Sequence, residues 1–145
     1  MADLANFEAF VPADHGLVVI TVLGPDGRMR PSVVNAGVID HPLTGNRVVA
    51  LVIHGKARKL VHLRAMPRAS VVLRAGWQWA AVEGPAQIIG PDDPVEGIGA
   101  ERLRLLLREI FTAAGGTHED FDEYDRVMAA ERRAAVLITP ERVFG

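Results

Sequence analysis

The sequence predicts a mainly β protein with flanking helices, a six-stranded antiparallel barrel that is either closed or split. From residue 15 onward, β-branched runs alternate with turn residues, and the links between the first strands are too short for the crossover that a parallel pair requires. The longest strand carries a Gly84-Pro85 irregularity, and a set of six short strands avoids exposed edges by closing on itself. The 145 residues, 49% hydrophobic and 23% charged, suffice for one domain, 1–145, with an ordinary core, and lie outside the disordered range.

Each element has a local reason. Residues 3–11 are amphipathic through Leu4, Phe7 and Phe10 and are closed by Pro12, a small helix. Three strands follow at 15–23, 29–39 and 47–53, the first two joined by Pro25-Asp26-Gly27, where proline presets one turn dihedral and glycine accepts positive φ. Residues 56–66 change to helical spacing with Leu60 and Leu63 on one side, and Pro67 stops them. Strands at 69–74 and 77–89 come next, the second with a bulge or an edge at Gly84-Pro85. Asp92-Asp93-Pro94 is expected to start a helix over about 94–113, and Thr117 with Asp120 to cap another carrying Phe121, Tyr124 and Met128. A last strand covers 133–139.

Composition excludes several chemistries. Without cysteine there is no disulfide, thiolate nucleophile or cysteine-held metal. The five histidines form no HExxH pair, and the only serines, Ser32 and Ser70, lie in no GxSxG elbow, so no metal ligand set and no catalytic triad can be picked out. Gly97-Ile98-Gly99 has Arg102 where a dinucleotide fingerprint needs glycine. A net charge of −2 favours neither nucleic acid nor an anionic membrane. The acidic N-terminal stretch and the lack of a long apolar run lead to the expectation of a cytoplasmic protein.

Two candidates remain. The only lysines, Lys56 and Lys59, flank Arg58 where a strand ends in Ile53-His54 and a helix begins, and helix-terminal N–H groups with cations can cradle a phosphate. A solvated basic helix face is the plainer explanation of the same pattern. Trp77 and Trp79 fall on one face of a strand, as a pair of core indoles would.

Taken in order, Asp26-Gly27-Arg28, Pro31 and Asn35, Lys59, Pro67-Arg68-Ala69-Ser70, Gly76-Trp77, Glu83-Gly84-Pro85-Ala86-Gln87, Asp122-Glu123-Tyr124, Arg132-Arg133 and Val143-Phe144-Gly145 resemble one family. It is the FMN-binding split barrel of flavin and deazaflavin reductases related to pyridoxamine 5′-phosphate oxidase, and the similarity leans toward the actinobacterial branch that uses coenzyme F420. The resemblance runs from about His15 to Gly145. It implies a homodimer with a cofactor in each groove between protomers. Lys59 matches the lysine for the cofactor phosphate, Asn35 a groove position, and the stretch Leu51 to His54 the strand beside the ring system. Ala57, His62 and Met66 depart from the common pattern around that lysine.

The implied activity is hydride transfer between F420 and an electron-poor small molecule. No catalytic acid or base is assigned, because the cofactor carries the chemistry. Lys59, Lys56 and Arg58 are expected to hold the anionic tail, Asn35 and Ser32 to contact ring or linker, Ile53 and His54 to run beside the ring, and Trp77 to stand at the groove wall. The alternatives are an FMN-dependent oxidoreductase on the same fold and a non-catalytic carrier of F420 or a flavin.

Overall fold

The computed structural model describes residues 3–145. The chain runs α1 (Leu4–Phe10), a 3₁₀ turn (Val11–Asp14), β1 (Leu17–Leu23), β2 (Met29–Asp40), β3 (Arg47–Ile53), α2 (Arg58–Ala65), β4 (Arg68–Ala75), β5 (Gln78–Ile89), α3 (Ala100–Ala113), α4 (Phe121–Ala130), β6 (Ala134–Ile138) and β7 (Arg142–Phe144). All strand pairs are antiparallel, in the order β4-β1-β2-β3-β6-β5-β7, and a further β4–β5 pairing closes β1 to β6 into a six-stranded barrel.

Two long strands change partners and so split the barrel. β2 pairs with β1 as far as Asn35 and with β3 from Ala36. β5 pairs with β4 through residues 78–85, with β7 at 81–83 and with β6 at 86–89. Gly84-Pro85 is therefore neither an edge nor a simple bulge. It is the changeover between partners, where a Cβ on Gly84 would stand 2.0 Å from the Thr139 carbonyl oxygen.

The alternation expected of a half-buried sheet fails in β3 and β6, which are buried on both faces. Val49, Leu51, Ile53, Val136 and Ile138 fill the barrel with Ile20, Val71 and Leu73, while Val48, Ala50, Ala135 and Leu137 face outward against Leu106 and Ile110 of α3 and Tyr124 of α4. Two cores thus share one wall. The opposite wall is bare: Val19 of β1 lies between Val33 of β2 and Val72 of β4, and all three are exposed.

Several expected boundaries move. The helix expected from residue 94 starts at Ala100 with Gly99 as its cap, because Asp92 and Asp93 are committed to Arg132 and Arg64 and residues 90–98 form two tight turns. Asp120, not Thr117, caps α4, accepting from the amides of Asp122 and Glu123. The short β7 after Pro140 is additional, held against residues 81–83. The tryptophans are not core: Trp77 is fully exposed in the β4–β5 turn, and Trp79 packs edge-on against Phe144 with ring centroids 6.3 Å apart.

Candidate functional site

The site begins where β3 leaves the barrel. The Gly55 amide donates to the Glu131 carbonyl and the Lys56 amide to His54 Nδ1, so the chain turns tightly into α2. Ala57 occupies the cap position of that helix and has no oxygen to offer, which leaves first-turn N–H groups without a side-chain acceptor. Leu60 and Leu63 are buried against the barrel end, fixing the helix so that Lys59 reaches β2, where its Nζ donates to Ser32 Oγ at 2.9 Å.

The charge environment sets this cluster apart. Arginines elsewhere are mostly salt-bridged: Arg64 to Asp93 and Arg68 to Glu141, both at 2.7 Å, and Arg104 and Arg108 to Asp125. Among the described residues, Lys56, Arg58 and Lys59 have no carboxylate within 4 Å. Three uncompensated cations beside an uncapped helix N-terminus suit an anion supplied from outside. Arg30 stands near this row but is paired with Asp26. It lies two residues before Ser32 on the same face of β2, held 3.3 Å from Asp26, and strand parity alone would have found it.

The other expected residues are distributed around this point. Asn35 stands three residues beyond Ser32, so it faces the opposite side of β2, and its Nδ2 donates to the His15 carbonyl at 2.8 Å. Ile53 buries its side chain in the barrel, leaving only its main chain toward the turn. His54 is half-buried, with Nε2 4.0 Å from Glu131. Trp77 sits at a hairpin tip on β4–β5 rather than on the β3–α2 turn. The fold therefore brings Lys59, Ser32 and the His54–Arg58 turn together and places Asn35 behind β2.

Asn35 opens onto a cavity of about 310 Å³ between the outer face of β3 and helices α3 and α4. Val52, Phe111, Tyr124 and Met128 form its apolar walls, and Arg133 stands among its lining residues. The Tyr124 hydroxyl donates to the Leu107 carbonyl, and burial pushes its pKa up to about 12, so the phenol stays neutral. Beside it Asp125 is held below the usual carboxylate range, chiefly by its hydrogen bonds to Arg108. Among the described residues no group of three or more His, Cys, Asp or Glu is placed to hold a metal, and no helix is long and apolar enough to cross a membrane.

A closed six-stranded antiparallel barrel with two partner-changing strands and helices on one wall is a split barrel, the fold also seen in a pyridoxamine 5′-phosphate oxidase-related structure. No protein-family profile matches the sequence. Solved structures share the fold along the whole chain. A conserved hypothetical protein of Mycobacterium tuberculosis superposes with TM-score 0.70 at 24% identity, covering 99% of this chain and 83% of its own. A pyridoxamine 5′-phosphate oxidase-related, FMN-binding protein of Nostoc punctiforme gives 0.64 at 14%, covering 97% and 77%. A structure described as an F420 reductase gives 0.59 at 15%, covering 94% of each chain. Proteins described as heme-binding and heme-storage share the fold too, so the barrel alone does not choose a ligand.

Proposed function

We propose that this chain is an F420-dependent oxidoreductase that acts on an electron-poor small molecule in the cytoplasm and works as a homodimer. One observation carries the reading: the only lysines and Arg58 gather, without counter-charges, at an uncapped helix start that the barrel holds rigidly. These residues fit a phosphate-bearing tail. Lys59, steadied by Ser32, binds the phosphate with the first-turn amides, and Lys56 and Arg58 attract the remaining negative charge.

When bound, the deazaflavin supplies hydride transfer. The chain's own part is to anchor the tail, to orient the ring along the Leu51–His54 edge with Asn35 behind it, and to exclude water. Exclusion calls for a second wall. Leu17, Val19, Val33 and Val72 are exposed side by side on the outer sheet, an apolar strip of the kind that a second copy covers. Met29 and Val33 stand on the face of β2 that carries Asn35, opposite Arg30 and Ser32, so a partner seated there comes up beside Asn35.

Fluorescence titration with F420 beside FMN tests the reading, followed by a screen for oxidation of reduced F420. Saturable F420 binding with turnover supports it. Preferential FMN binding assigns the flavin alternative, and tight binding without turnover across quinones and enones assigns a carrier.

A further inference from the structure

We infer that the cavity behind β2, walled by α3 and α4 of a single protomer, is a compartment for a compact aromatic anion that borders the proposed ring position through Asn35 and Val52. The assignment of that ligand as the hydride acceptor rests on the function proposed above; the compartment itself does not. Its size fits a small guest. A cavity of about 150 Å³ takes up benzene, so one of about 310 Å³ has room for a two-ring acid.

The walls specify flat and apolar. The Phe111 and Tyr124 rings lie 4.9 Å apart at a tilt of 42°, opposite Val52 of β3. The arrangement is built in: a Cβ on Gly116 would come within 2.6 Å of the Phe111 ring, so the turn after α3 needs glycine to seat that wall. Tyr124 spends its hydroxyl on a main-chain carbonyl and is a satisfied wall, not an acid.

The polar groups specify the charge. Among the described residues no carboxylate lines the cavity. Arg133 is ion-paired with Glu131 through Nε at 2.8 Å, and only its terminal nitrogens, which have no acceptor among the described residues, are left for a ligand. Asn35 uses one N–H on the His15 carbonyl and keeps its amide oxygen and second N–H. One cation and one amide at the rim of an aromatic slot recognise a carboxylate or sulfonate on a ring.

Calorimetry on the cofactor-free protein with 2-naphthoate and its neutral counterpart 2-naphthalenemethanol tests this without any activity assay. One site per chain is expected, with the acid at least tenfold tighter than the alcohol. Arg133→Gln should erase that preference while leaving alcohol binding within about twofold, and Arg133→Lys should restore much of it. Met128→Trp, which fills the cavity from α4, should abolish both ligands while F420 binding is retained. Equal affinity for acid and alcohol in the unmodified protein, or naphthoate binding undiminished in Met128→Trp, overturns the proposal. So does loss of F420 binding in a folded Met128→Trp protein, since the cavity would then belong to the cofactor. Naphthoate binding as described without F420 or FMN binding keeps the compartment and removes the cofactor reading.

Discussion

Replacing Lys59 with alanine removes one charged hydrogen-bond donor from the proposed phosphate cradle and little else. Hydrogen bonds to charged groups contribute about 1.5–3 kcal/mol. Lys59 is half-buried and already oriented by Ser32 at 2.9 Å, so little side-chain freedom is lost on binding, but its partial exposure argues for the lower end of that range. About 1.5–2 kcal/mol corresponds to a rise of roughly 13–30-fold in the Kd for F420. Lys56 and Arg58 are exposed and act through screened charge, so alanine at either should cost only about two- to fivefold, and added salt should erase the effect. Fluorescence titration at low and high salt separates the two classes, and thermal melts should move little, because Lys59 has no ion pair to lose. An unchanged Kd for Lys59→Ala, or three equal effects that all vanish in salt, would mean that the cluster is only a solvated helix face.

Val33→Asp places a charge in the middle of the exposed apolar strip; if that strip forms the proposed dimer, it should shift the chain to monomer in sedimentation velocity and weaken F420 binding with it. Gly84→Ala should cost about 3 kcal/mol or more in chemical denaturation, since its Cβ would meet the Thr139 carbonyl at 2.0 Å inside a closed barrel with no room to retreat. Asp125 contributes a pH dependence of definite sign. Its folded pKa lies below the unfolded value, so its contribution is present above about pH 4 and is lost as pH falls through the folded pKa. Asp125→Asn should lower Tm at neutral pH and flatten the acid limb of the Tm profile; an unchanged limb would assign acid sensitivity to other carboxylates.

The strands were legible because their signals are local. Pro25-Asp26-Gly27 marks a turn whatever surrounds it, and the apolar runs at 47–53 and 134–138 match strands buried on two faces. The errors share one cause, which is that distant partners override local cues. Asp92 and Asp93 look like helix caps until Arg132 and Arg64 claim them. Trp77 and Trp79 alternate like core residues, yet Trp77 occupies the hairpin tip and Trp79 finds Phe144 of a strand too short to show itself in the sequence. Within the site, Lys56, Arg58 and Lys59 could be grouped from spacing alone. Ser32, 27 residues away from Lys59, could not be placed beside it.

The sequence was enough to place most strands and helices, to indicate a barrel, and to group Lys56, Arg58 and Lys59 at one strand-to-helix turn. These follow from residue periodicity, turn chemistry and composition over a few neighbours. The folded chain was needed to show that Lys59 meets Ser32, which arginines are spoken for, and that the helices on one wall frame a cavity while the opposite wall stays bare. Those outcomes depend on closing the barrel, which brings residues dozens of positions apart within hydrogen-bonding reach, and no local pattern encodes that contact.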